Sequence, residues 1–305
     1  MCSVLTRSLN PLSVFGLFNF LDSVDTDNRP EWEKWREKAR EGRPGLVFGS
    51  QMPIWTGHGY ESLNQLMKQL TGEVPPKKFN SYQENALEHG TFYESRAIEF
   101  IRQTELRPGK QITHNRTSFL YECTQDENIA VVCTPDAWID SVTWAGGMNI
   151  IEERSILEIK CPFNNRHKYE SADQWKADFK NEHPIGYIGA AIQAALYATV
   201  GGCSQFEVAY FFVHPSDTYA CLRFKFIMHR ILKLQMIDQI AGFSNLLSDK
   251  TTSKTIRIPK QRKMDMECRL ASALIGVESS FDNYYYDDTT KLFSQKQSSD
   301  QTTDD

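Results

Sequence analysis

The chain lacks several features that would place it in common protein classes. Its seven cysteines are odd in number, widely scattered and without a C-x-x-C pair. That excludes a paired disulfide framework and leaves reduced thiols in an intracellular, reducing compartment as the expectation, with nucleus, cytoplasm and mitochondrion all compatible. The seven histidines show neither H-E-x-x-H nor any other paired metal spacing, so a zinc hydrolase is not indicated. No apolar run approaches the roughly 18 residues that a membrane span needs, and no membrane association is expected. There is no internal repeat. Nor is there an excess of positive charge, since the net charge is −5. Residues 276–305, however, hold seven acids against two lysines, which accounts for that whole excess and leaves the rest of the chain neutral. A polyanionic partner such as nucleic acid therefore stays open.

What is present is ample material for a core: 305 residues, 40% of them hydrophobic and 12% aromatic. Residues 1–31 read as an N-terminal segment and linker. Its opening stretch is interrupted by Pro11, Gly16 and Asn19 and is read as docking on the domain rather than as a targeting leader. Residues 32–249 read as one globular domain, 250–277 as a basic segment, and 278–305 as an acidic tail whose Ser, Thr, Gln and Asp content predicts disorder. Helical patterns cover 31–42, 60–71, 82–103, 186–199 and 229–248, and strand-like runs cover 111–122, 129–140, 154–161, 205–214 and 218–228. In the helix at 82–103, Leu87, Phe92, Ala97, Ile98 and Ile101 are candidates for the buried side. The alternation predicts a layered α/β domain.

One stretch stands apart. In "ILEIKCP" (156–162) two charges sit inside an apolar run, and strand alternation places Ile156, Glu158 and Lys160 on one face and Leu157, Ile159 and Cys161 on the other. Upstream, "VVCTPDAWID" leads a strand into Thr134, Pro135 and Asp136, where proline predicts a bend that turns the Asp136 carboxylate out of the sheet. Gly146 and Gly147 predict a hairpin turn that sets Asp136 beside Glu158. A third acid, Glu94, lies four residues after Gly90 on one helix face. Three convergent carboxylates repel each other and call for a cation, and all-oxygen ligands select Mg²⁺ or Mn²⁺. One or two such ions suit phosphodiester hydrolysis, with Lys160 orienting or deprotonating the attacking water.

These motifs carry a resemblance. "TPDAWID" followed by "ILEIKCPF" resembles the PD-(D/E)XK nuclease signature, in particular the group of lambda exonuclease, YqaJ-type viral recombinases and alkaline nucleases. "HGTFYESRA" and "IGYIGAAIQAALYAT" are similar to two further helices of that group, so the likeness covers roughly residues 32–230. It implies a restriction-endonuclease-like core, a central mixed β-sheet flanked by helices, with a helical N-terminal part. It further implies that Glu94, Asp136, Glu158 and the main-chain carbonyl of Ile159 bind metal, as two ions, that Lys160 is the catalytic lysine, and that Gln193 contacts the lysine or the substrate phosphate. Arg40 and Ser50, with Arg43 as a rival, are the candidates for the 5′-phosphate of the substrate strand, and Thr134 is a candidate substrate contact. The activity so implied is a Mg²⁺-dependent 5′-to-3′ exonuclease on linear duplex DNA ends, in recombination, repair or viral DNA processing. A single-strand annealing protein is the implied partner, and a homo-oligomer is implied by the three-membered rings of phage relatives. The alternatives are an endonuclease or RNase of the same fold and a catalytically silent DNA-end-binding scaffold.

Each residue also has a plainer reading. Glu158 and Lys160 alone would be a surface ion pair, contributing ~0 to 1 kcal/mol. Glu94 could be an exposed helix residue, Gln193 a satisfied polar group under the sheet, Arg40 a solvated helix residue and Ser50 a turn cap. The bases of 250–270 could be a solvated face or contacts to phosphates. The "YYYDD" run from Tyr284 to Asp288 could be a partner motif or a strand that patches the domain.

Overall fold

The computed structural model of the protein describes residues 17–75, 78–105, 108–145, 148–163, 166–249, 256–280 and 284–295. In chain order the elements are β1 (Phe18–Asp25), α1 (Arg29–Arg40), β2 (Val47–Phe48), a 3-10 turn (Gly49–Gln51) running into α2 (Met52–Trp55), α3 (Leu63–Leu70) and α4 (Ser81–Phe100), which ends in a π turn (Ile101–Glu105). Then come β3 (Lys110–His114), β4 (Thr117–Cys123), β5 (Ala130–Cys133), β6 (Ala137–Ala145), β7 (Met148–Lys160), α5 (Ala172–Glu182) and α6 (Ile188–Val200). The remainder is β8 (Gln205–Val213), β9 (Thr218–Ile227), α7 (Arg230–Ser248), α8 (Lys260–Ala273), β10 (Leu274–Ser279), β11 (Tyr284–Asp287) and β12 (Leu292–Gln295).

The large sheet runs β12-β11-β9-β8-β7-β6-β3, with β10 also on β9. It is mixed: β7 and β8 are parallel and their neighbours antiparallel. Two parallel strands need a crossover, and α5 and α6 supply it. The side chains of β7 alternate as its sequence predicts. Ile156 joins the core beneath α6 and α7, while Leu157 and Ile159 join a second core beneath α4, with Ala97, Ile98, Phe100 and Ile101. Helix α6 is buried along most of its surface because alanines at 190, 191, 194, 195 and 198 let it lie close on the sheet. A second sheet, β1-β4-β5-β2, packs beside the first.

Several boundaries differ from the sequence reading, each for a local reason. The run 111–122 is two strands in different sheets, β3 and β4, split at Asn115 and Arg116. The run 129–140 is likewise split into β5 and β6 at Thr134–Pro135–Asp136. One residue makes both breaks: the Asn115 side-chain amide donates to the carbonyls of Pro135 (2.7 Å) and Thr117 (2.8 Å), and its backbone amide donates to the Asp136 carbonyl (2.9 Å). Leu87 and Phe92, expected on the buried side of α4, are exposed, because only the last turns of the helix reach the sheet.

The flanks also depart from expectation. Part of the expected linker is β1, which pairs with β4 and places Phe18 in the core. The basic segment supplies α8, whose Met266, Leu270 and Ala273 are buried in the main core. The tail expected to be disordered instead carries β11 and β12 at the sheet edge over residues 284–295, since Tyr284, Tyr286 and Phe293 cover Phe100, Phe211 and Tyr219. The "YYYDD" run is thus a strand that patches the domain. The opening segment 1–16 and the Gly146–Gly147 turn lie outside the described residues.

Candidate active site

The break between β5 and β6 places Asp136 one residue ahead of the Ala137–Leu157 pair, so it stands level with Glu158 on β7. The Ile159 backbone amide donates to Asp136 Oδ2 at 2.6 Å, which ties the bend to the end of β7. Glu158 is fully buried, with Oε1 accepting from the Lys160 ammonium. Lys160, two residues on and on the same face, is about one-third exposed and opens to solvent. A buried carboxylate with its ammonium at the end of an interior strand is not the solvated pair of the plainer reading.

The charges are mutually perturbed. Burial pushes the Asp136 carboxyl well above the usual carboxylate range, with Glu158 and then Glu94 adding repulsion against the pull of Lys160. Burial also raises Glu158, opposed by Lys160. At Lys160 burial works against the charge, but Glu158 and Asp136 outweigh it and the ammonium is held above its ordinary value. Glu94, on α4, comes from the opposite side of the sheet. It contributes to the repulsion at both carboxylates while its own Oε1 is bound to His114 Nε2 at 2.9 Å. Among the described residues no group of three His, Cys, Asp or Glu side chains is gathered into a metal cage. Asp136 and Glu158 stand together, and Glu94 faces His114.

One atom indicates what the pair can hold. Glu158 Oε2 is buried without a hydrogen-bond partner. An anionic oxygen withdrawn from water and left without a donor costs several kcal/mol. The neighbouring donors are carboxylate oxygens, which fit a hard divalent cation such as Mg²⁺ or Mn²⁺ and not zinc.

Gln193 lies on α6 and donates to the Tyr197 hydroxyl at 3.0 Å, one turn along the helix. Tyr197, which sequence reasoning missed, is buried beside the carboxylates. Burial and then Glu158 raise its pKa, so it stays a neutral phenol. Its ring fills the space where a side chain at Gly49 would be, which explains the glycine before Ser50. Thr134 takes part in a relay: the Trp32 indole N–H donates to Ser118 Oγ (2.9 Å), and that hydroxyl is 2.7 Å from Thr134 Oγ1. Helix α1 is thereby coupled to the bend between β5 and β6 that carries Asp136.

The structure places Arg40 against the Phe48 ring at 4.8 Å, and Ser50, exposed, two residues beyond that ring. Arg43 reaches back to the Ala39 carbonyl at 3.5 Å. The guanidinium that sequence reasoning missed is Arg36, lodged between Trp32 (4.5 Å) and Phe48 (4.4 Å) with its Nε buried and unpartnered. Burial, then Arg40 and Arg29, lower its pKa. The signal was available in the spacing, since Trp32, Arg36 and Arg40 recur every four residues and share one helical face.

The family described as YqaJ-like viral recombinase domain matches residues 31–203, more than half of the chain. No curated protein matches the sequence. Among solved structures, the chain is similar to an alkaline exonuclease, LHK-Exo, from Laribacter hongkongensis, with 16% identity, 77% of this chain and 98% of that chain covered, and a TM-score of 0.42. The same enzyme in complex with dAMP gives 15% identity, the same coverage and a TM-score of 0.43. A phage-related exonuclease from Haemophilus somnus 129PT gives 12% identity, 68% and 95% coverage, and a TM-score of 0.39.

Proposed function

The chain belongs to the family of YqaJ-like viral recombinase domains and is a nuclease; from that premise we propose a divalent-cation-dependent exonuclease acting on linear duplex DNA ends. The observation that carries the cation dependence is the buried, unpartnered Oε2 of Glu158 beside Asp136. Asp136 and Glu158 would hold Mg²⁺ or Mn²⁺, with Glu94 and the Ile159 carbonyl as further ligands, and two ions are part of the same proposal. When bound, the cation supplies charge neutralisation at the phosphate and a water of lowered pKa.

The chain's own residues do the rest. Lys160 stays an ammonium next to two carboxylates, so its role is to orient the attacking water and to offset charge growing on the phosphate oxygens. Gln193, bound to the neutral Tyr197 phenol, is on this reading the group that meets the lysine or the substrate phosphate. Arg36, Arg40 and Ser50 receive a terminal 5′-phosphate, and Thr134 keeps the Asp136 bend coupled to them. Strand polarity is 5′ to 3′ on this reading, and a single-strand annealing protein is the partner its product suits. The described cysteines form no disulfide with one another, which suits a reducing interior.

A direct test compares a 5′-phosphorylated linear duplex, a nicked circle and an RNA of equal length with Mg²⁺. Release of mononucleotides from the linear duplex alone is expected. Cleavage of the circle or the RNA at equal rate would replace the exonuclease reading with an endonuclease or RNase one, and binding without cleavage would leave a scaffold.

A further inference from the structure

The loop between α2 and α3 is pinned along residues 56–59, with Thr56 buried and Gly57, His58 and Gly59 half-buried, and it carries one fully exposed ring. Thr56 is inaccessible and donates to the Met52 and Pro53 carbonyls (3.3 and 3.1 Å). The His58 backbone amide donates to Pro53 O at 2.7 Å, and its ring is clamped between Thr56 Oγ1 (3.2 Å) and Glu267 (3.1 Å). Gly57 makes the turn at φ +83°. Gly59 lies flush on Ile54, where a Cβ would come within 2.8 Å of the Ile54 Cα. On α6, Gly189 meets the His58 carbonyl so closely that a Cβ there would stand 2.9 Å from it. Helix α8, beyond the family match, adds Arg262 stacked 3.8 Å over Trp55.

Tyr60, the residue after this pinned segment, is 100% exposed. Burying a tyrosine ring is favourable, so one held out on a rigid support has no role in the core. Its position points to the site. Gly189, which supports the loop, is one helical turn before Gln193 on the same face of α6. Tyr187, two residues before Gly189, donates its backbone amide to the Tyr210 hydroxyl at 2.6 Å, and Tyr210 on β8 pairs with Lys160 on β7, so the helix end that supports the loop adjoins the end of β7 that carries Lys160. Across the site, α4 presents Leu87, Gly90 and Glu94 along one face, with open space at Gly90.

We propose that Tyr60 stacks on a nucleobase next to the scissile phosphate, so that a preset aromatic platform at the mouth of the site holds the strand while Lys160 faces the phosphate. This rests on the nuclease reading. Stacking suits an enzyme that degrades any sequence, because every base has a π-face.

The test uses full-length protein with Tyr60→Ala, Tyr60→Phe and Tyr60→Trp. Because the ring touches little else, all three are expected to melt with the wild type. For a linear duplex, Tyr60→Ala should raise KM by about five- to a hundredfold, the effect of losing one base–aromatic stack, with Phe and Trp restoring it to within about twofold. In the Lys160→Gln background with Mg²⁺, 2-aminopurine near the 5′ end should be quenched on binding, and adding Tyr60→Ala should abolish that quenching. Unchanged KM and quenching in Tyr60→Ala, or failure of Phe to restore either, would overturn this inference while hydrolysis by the wild type kept the nuclease reading. A wild type that neither cuts nor binds DNA would overturn both.

Discussion

Replacing Asp136 by Asn is the most informative perturbation because it removes a charge and almost nothing else. The Asn carbonyl oxygen can still accept from the Ile159 amide, now 2.6 Å from Asp136 Oδ2, so the bend keeps its tie to β7. If Asp136 and Glu158 hold the cation, Mg²⁺ binds the folded chain and not the unfolded one. At about a hundred times its dissociation constant it then adds about 2.7 kcal/mol of stability. For a chain of this length that is roughly 5 °C in melting temperature. Differential scanning calorimetry with and without Mg²⁺ should show that increment in the wild type and little of it in Asp136→Asn.

Without the cation the order should invert at neutral pH. The Asp136 carboxyl is raised in the folded state, by burial first and Glu158 next, so the native protein holds this proton to higher pH than the unfolded chain does. Stability then falls as pH rises from the ordinary carboxylate range through the folded pKa, and the penalty is complete above it. Asp136→Asn lacks that slope and should melt above the wild type in EDTA at pH 7.5. Equal Mg²⁺ increments in the two proteins, or no pH-dependent difference in EDTA, would refute the placement of the cation and the electrostatics behind it.

Three other outcomes follow from the same structure. Lys160→Gln, whose amide can still donate to Glu158, should lower hydrolysis by at least about a hundredfold, equivalent to roughly 2.7 kcal/mol, while keeping the Mg²⁺ increment in melting temperature; loss of both would make Lys160 structural. Arg36→Ala should raise KM for 5′-phosphorylated ends by about tenfold or more and hardly affect 5′-hydroxyl ends, with Arg40→Ala weaker in the same direction, as expected for charged hydrogen bonds to an anion; equal losses on both ends would remove the pocket. Phe293→Ala should cost about 3–5 kcal/mol in urea unfolding, since this ring packs on Phe100 and Tyr286 at 4.9 and 4.7 Å, and a cost under about 1 kcal/mol would show that the C-terminal hairpin is only laid on the domain.

The sequence by itself determined what depends on neighbours along the chain. Alternation in 156–161 assigned the two faces of β7, Pro135 marked the bend at Asp136, and the small-residue run marked α6 as a helix. Tertiary structure alone decided what depends on partners distant in sequence. Asn115 divides two predicted strands because the carbonyl it binds is 20 residues away. Tyr284, Tyr286 and Phe293 become edge strands because Phe100 and Phe211 offer them a surface, whereas the composition around them is that of a disordered tail. Glu94 faces His114, Arg36 lies between Trp32 and Phe48, and Leu87 is exposed, each for the same reason. Periodicity states which side of an element a residue occupies, but only the packing of other elements states whether that side is covered, and by what.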